Sequence, residues 1–208
     1  MVDLTILVMA KAPLPGRVKT RLTPPFSPVE AAALAEAALS DTLEVVRAAP
    51  ARRRVLVLDG AVGAWLPSGF EVLPQAAGGL DERIAAALAA ISGPVLLVGM
   101  DTPQLSVDQL TVSFADHDAW FGPAQDGGFW ALGLARPDPA LVRGVPMSRD
   151  WTGAVQLGRL VDAGLRVGLL PRLRDVDTAA CAAAVAAAAP HTRFAAQHAR
   201  FTAGAVTA

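Results

Sequence analysis

Val95-Leu96-Leu97-Val98-Gly99, opened by Pro94 and followed by Met100-Asp101-Thr102-Pro103, is the stretch on which the fold turns. Its residues are apolar on consecutive positions, not alternate ones, which marks a strand covered on both faces. Such strands belong to parallel sheets sandwiched between helices. Working outward, Leu4 to Ala10, Arg54 to Asp59, Phe70 to Pro74 and Val167 to Leu170 read as further strands. Ala119 to Pro123 and Phe129 to Leu134 read as a strand pair around Gln125-Asp126-Gly127-Gly128.

Helical patterns lie between these runs. Ser27-Pro28-Val29-Glu30 is a capping box with proline at the first helical position, so a helix begins there and continues to about Ala49. Asp81 to Ile91, Asp150 to Ala163 and Thr178 to Ala189 are helical, and Ser106-Val107-Asp108-Gln109 is a second capping box. The segment after Pro190 reads as a loose helix or tail. The expectation is an α/β chain with a Rossmann-like, mostly parallel central sheet, forming one domain over residues 1–208.

Composition narrows the function. With 208 residues, 53% apolar and a net charge of −1, nothing points to nucleic acid or an anionic membrane as partner. The single Cys181 excludes an intrachain disulfide framework and a cysteine-rich zinc site, and reads as a small core residue. His117, His191 and His198 have no ligand spacing. Trp120, Trp130 and Trp151 read mostly as core, Trp151 also as a pocket wall, and Arg52-Arg53-Arg54 as a solvated turn. No run reaches the roughly 20 apolar residues of a membrane span, and no secretory signal is recognisable, so a soluble cytoplasmic protein is expected.

The charges themselves are unevenly placed. Between Asp3 and Glu30 there is no acidic residue, while Lys11, Arg17, Lys19 and Arg21 crowd one segment, KAPLPGRVKTR. In open α/β sheets ligands gather at the carboxyl ends of strands, and this segment follows the first strand. Backbone N–H groups freed by Gly16, with Arg17, Lys19 and Arg21, suit a pyrophosphate, although the Walker A spacing is missing. Without a ligand the same run is a solvated basic turn.

Asp101 follows the central strand and is placed to hold Mg²⁺ or Mn²⁺ against substrate phosphates, or only to bond its own turn. Asp177, in Asp175-Val176-Asp177-Thr178, could give the same metal a second carboxylate, or Asp177 or Thr178 caps the next helix. Asp126 could orient a hydroxyl or act as a base, its paired glycines letting backbone approach a ligand; otherwise the loop is an Asp-Gly hairpin turn.

Four segments, MAKAPLPGRVKTRL, VGMDTPQL, QDGGFWALGL and LRDVDT, together resemble a bacterial family of GT-A-type, nucleotide-diphospho-sugar-transferase-like proteins, many labelled glycosyltransferases without an assigned substrate. The resemblance spans roughly residues 4 to 180. It implies a GT-A sheet with a nucleotide on its N-terminal half. Ala10, Lys11, Ala12, Gly16, Arg17 and Lys19 would then meet the nucleotide and its phosphates, and Gly78-Gly79-Leu80-Asp81-Glu82-Arg83 is similar to the loop that approaches the base in related cytidylyl- and guanylyltransferases. Asp101 would stand at the metal-binding carboxylate, although Gly99 replaces the first Asp of a D-x-D, and Asp177 resembles the D-x-D-T carboxylate of related nucleotidyltransferases.

The function so implied is glycosyl transfer from a nucleotide-sugar to a small-molecule acceptor, with Asp101 and Asp126 as catalytic residues. A metal-dependent nucleotidyltransferase acting on a sugar phosphate or phosphorylated small acid is the alternative. A non-catalytic nucleotide-binding module is a third.

Overall fold

The computed structural model describes residues 3–205. Its strands are β1 (Thr5–Lys11), β2 (Arg53–Asp59), β3 (Glu71–Pro74), β4 (Val95–Gly99), β5 (Ala119–Pro123), β6 (Phe129–Leu134) and β7 (Val167–Leu169). Its helices are α1 (Pro28–Ala48), α2 (Leu80–Ala89), α3 (Val107–Leu110), α4 (Thr152–Asp162), α5 (Ala179–Ala188) and α6 (Arg193–Ala205). The strands form a single sheet in the order β3-β2-β1-β4-β6-β5-β7. β1 is parallel to both β2 and β4, with Leu7 opposite Val55 and Leu97. β6 alone runs the other way, antiparallel to β4 and β5, and β7 returns parallel to β5. The sheet is therefore mostly parallel and mixed on one side.

Successive strand side chains point to opposite faces, and the core divides accordingly. Ile6, Val8, Leu56, Leu96 and Val98 meet Leu39, Leu43 and Val46 of α1 on one face. Leu7, Met9, Val55, Val57 and Leu97 meet Ile84 and Leu88 of α2 and Leu160 of α4 on the other. α1 starts where its capping box stands: the Ser27 N–H donates to the Glu30 carboxylate at 2.8 Å, and the Glu30 N–H to Ser27 Oγ at 3.3 Å. Among the described residues no helix is long and apolar enough to cross a membrane.

Several sequence expectations change here. The segment after Pro190 forms α6, which packs on α1 and α5 with Phe194 fully buried. Its N-terminus is capped by Asp41 of α1, whose carboxylate accepts the N–H groups of Arg193 at 3.1 Å and Phe194 at 2.9 Å. Arg52-Arg53-Arg54 is not a free solvated turn. Arg52 pairs with Asp3 and Arg53 with Glu71, while Arg54 donates to the carbonyls of Val46 and Ala49 at the end of α1. Trp130 is core, but Trp120 is half-buried and Trp151 exposed, and Cys181 is half-buried on α5. The second capping box opens only the short α3, in which the Ser106 N–H donates to the Gln109 side chain.

Candidate functional site

The carboxyl ends of β1, β4, β5 and β7 open on one cleft of about 990 Å³. Since β6 is reversed, its N-terminal end joins them, and the loop between β5 and β6 hangs over the same opening. The topology thus brings the basic segment, Asp101, Asp126 and the Asp175–Asp177 loop to one place.

The basic segment is a shaped strap. The Arg17 N–H donates to the Leu14 carbonyl at 3.0 Å, with Pro15 and Gly16 between them and Gly16 at φ +73°. Proline followed by a left-handed glycine is the type II turn arrangement, so Gly16 serves the turn and does not line the cleft. Lys19 is also left-handed, at φ 49° and ψ 37°, and leads into a single 3₁₀ turn that anchors on buried Leu22. Ala12 is buried, donates its N–H to the Asp59 carbonyl at 2.9 Å, and also lies outside the cleft lining.

The strap's cations fall into two pairs. Lys19 Nζ lies 2.8 Å from Asp101 Oδ2, its side chain only 8% exposed, and Arg21 lies 2.6 Å from Asp177 Oδ2. Lys11 and Arg17 line the cleft, exposed, without an ion pair among the described residues. On the neighbouring wall Gln75 donates to the Ala10 carbonyl at 2.8 Å and accepts from Arg83 at 3.2 Å. Arg83 also donates to the Gly78 carbonyl and to Asp59, both at 3.0 Å. These bonds hold Ala10 and the Gly78–Leu80 turn together on one wall, with Gly79 the N-cap of α2 and Leu80 exposed.

Beside the strap's Arg21, Asp126, Asp175 and Asp177 each bring a carboxylate oxygen within 4.8 Å of the others. Burial pushes the Asp175 carboxyl above its ordinary value, and the adjacent negative charges of Asp126 and Asp177 push it the same way. Three carboxylates gathered this closely match the hard oxygen donors that Mg²⁺ and Mn²⁺ take. Asp101 stands outside this trio, held by Lys19, and its Oδ1 is buried without a hydrogen-bond partner. Its loop is tied to the trio through the backbone, because the Val176 N–H donates to the Asp101 carbonyl at 2.9 Å. Thr178, not Asp177, caps α5, its side chain accepting the Cys181 N–H.

Asp175 is a member of the trio to which no role is given above. The signal was present: in Asp-Val-Asp the outer side chains share one side of an extended chain while buried Val176 takes the other. The glycines after Asp126 also work differently from the expectation. A Cβ on Gly127, which sits at φ +89°, would lie 1.8 Å from the Asp150 carbonyl oxygen, and one on Gly153 would lie 2.5 Å from the Gly128 oxygen. The close approach these glycines permit is that of the protein's own backbone. Asp126 itself accepts the Gly128 N–H at 2.8 Å, which fixes its carboxylate over the cleft.

Comparison with known proteins adds a family and a set of folds. The profile of a bacterial family described as an uncharacterized protein conserved in bacteria (DUF2064) matches residues 34–149. No curated protein matches the chain. Among solved structures, a protein of Desulfovibrio desulfuricans G20, provisionally named a nucleotide-diphospho-sugar transferase, is 27% identical with a TM-score of 0.77. That match covers 86% of this chain and 84% of the other. Rv0371c of Mycobacterium tuberculosis H37Rv is 21% identical over 88% of this chain and 98% of its own, at a TM-score of 0.57; its manganese complex aligns at 20% and 0.52. A CMP:2-keto-3-deoxy-manno-octonic acid synthetase, solved with CTP, shares 13% identity over 88% of this chain and 97% of its own, at 0.57. The last two are likenesses of fold alone.

Proposed function

The chain belongs to the bacterial DUF2064 family, and from that premise we propose that it is a GT-A-type transferase that takes its donor as a nucleotide-sugar. One observation carries the reading: a cationic strap and a carboxylate trio meet in one cleft at the carboxyl ends of the sheet, joined by the Arg21–Asp177 pair. The provisional name of the D. desulfuricans neighbour, which shares most of its length with this chain, supports the same class.

In this reading Lys11 and Arg17 grip the diphosphate, being the strap cations that no protein carboxylate holds. Ala10 and the Gly78–Leu80 turn, fixed by Gln75 and Arg83, form the wall for the nucleoside. Asp126, Asp175 and Asp177 would hold Mg²⁺ or Mn²⁺. Such an ion neutralises charge that builds on a leaving diphosphate. Lys19 is kept from swinging into solvent by Asp101, so its charge stays beside the phosphates at a fixed position. Asp126, the most exposed of the three carboxylates, would also be the one to orient an acceptor hydroxyl.

Turnover tests the reading. With Mn²⁺ present, a panel of nucleotide-sugars should show slow release of nucleoside diphosphate for one donor, lost in Asp126→Asn and Asp177→Asn. Release of pyrophosphate from a nucleoside triphosphate and a sugar phosphate, with every nucleotide-sugar left intact, would instead show nucleotidyl transfer. No product from either class would leave only a binding module.

A further inference from the structure

The cleft holds one unpaired cation that the strap does not supply. Lys19, Arg21 and Arg83 are each bonded to a carboxylate. Lys11, Arg17 and Arg149 line the cleft with no ion pair among the described residues. The first two follow β1, but Arg149 stands on the segment leading into α4.

That segment is fastened to the opposite side of the site. The Arg149 N–H donates to Thr152 Oγ1 at 3.0 Å, and its carbonyl accepts the Thr152 N–H at 3.1 Å. Thr152, only 3% exposed, donates its own hydroxyl to the Pro146 carbonyl at 2.8 Å. The next residue, Gly153, donates to the Gly127 carbonyl at 2.7 Å, which locks the segment onto the β5–β6 loop. Ser148, immediately before the arginine, is left-handed at φ 59°, a conformation a serine adopts only when its surroundings impose it. The backbone of Arg149 is thus clamped on both sides, while its exposed guanidinium has no hydrogen-bond or ion-pair partner among the described residues.

The reading above gives the diphosphate to Lys11 and Arg17, which follow β1; Arg149, fastened instead to the β5–β6 loop that carries Asp126, is left for an anion of the other substrate.

We propose that Arg149 receives an anionic group, a carboxylate or a phosphate, carried by the second substrate. This rests on the nucleotide-dependent reading above and adds to it the chemical class of the acceptor. A planar guanidinium on a fixed backbone takes either oxyanion in a bidentate manner.

The test uses the full chain saturated with Mn²⁺ and the nucleoside diphosphate that stabilises it most. Glycerol 3-phosphate, glycerate and glycerol are then titrated while the melting midpoint is followed. The expected result is a further rise with one or both anions and none with glycerol, the two anions telling phosphate from carboxylate. Arg149→Gln should weaken that response at least tenfold, as befits loss of a charge-assisted bond, and Arg149→Lys should weaken it less. The shift from the nucleotide alone, preserved in both variants, shows that the fold and the donor side are intact. Equal responses in wild type and Arg149→Gln would overturn the proposal, as would glycerol matching the anions or neither anion acting. If no nucleotide shifts the wild-type midpoint, what fails is the reading on which this inference rests.

Discussion

Gly127 shows how much one residue can decide in this site. Its missing Cβ makes room for the Asp150 carbonyl, and its φ of +89° is open to few other residues. Gly127→Ala must either push the Ser148–Thr152 segment away or break the Gly153 bond. We expect a loss of about 1–3 kcal/mol, in the range of strained left-handed positions and local overpacking, read as a lower midpoint in urea. We also expect the change to weaken acceptor-side binding more than nucleotide binding. At this scale the sequence was legible in kind but not in partner. Asp126-Gly127-Gly128 announced a tight turn over a site, yet nothing local says that the backbone pressed against it comes from residues 150 to 153. Lys19 and Asp101 were likewise singled out separately, and only the fold shows that they neutralise each other at 2.8 Å. The sign of each charge could be read from the sequence, whereas its pairing depends on loops far apart in the chain.

Among the elements, α1 and α6 make the contrast clearest. α1 carries its own start signal, Ser27-Pro28-Val29-Glu30, and both halves of the box form as its sequence implies. α6 depends on a cap from Asp41, 152 residues before Arg193, so its start could not be seen locally. Burial of Phe194, with Leu34, Ala38 and Val185 in the same cluster, then holds it down. Phe194→Ala should cost about 3–5 kcal/mol, as for other fully buried aromatics, and should expose α6 to proteolysis before the sheet melts. Asp41→Ala should cost about 0.5–2 kcal/mol as a lost cap. Burial raises the Asp41 carboxyl above its ordinary 3.8 even though it accepts two N–H groups. The folded chain therefore binds that proton more tightly than the unfolded one. Between 3.8 and the raised value this group removes stability as pH rises, and Asp41→Asn should flatten that part of the pH–stability curve.

For the whole molecule, the alternation of apolar strands and amphipathic helices was enough to call the sheet, its two covered faces and the end at which ligands gather. What escaped was order in space. The parallel pairing of β7 beside β5 sets the β5–β6 loop next to the segment after β7, and so assembles Asp126 with Asp175 and Asp177. Asp126, 49 positions before Asp175, joins the Asp175–Asp177 pair in one carboxylate cluster through strand neighbours that no short-range pattern encodes. We expect this cluster and the strap together to hold a nucleoside diphosphate with a divalent cation. The most direct measurement is the melting midpoint with UDP, GDP, CDP or ADP, each with and without Mn²⁺. One nucleotide at a hundredfold its dissociation constant should add about 2.7 kcal/mol, only with the metal present, and Asp175→Asn or a double Lys11→Ala, Arg17→Ala change should abolish the gain. A midpoint that no nucleotide moves under any metal, or one that moves equally in those variants, would contradict the account.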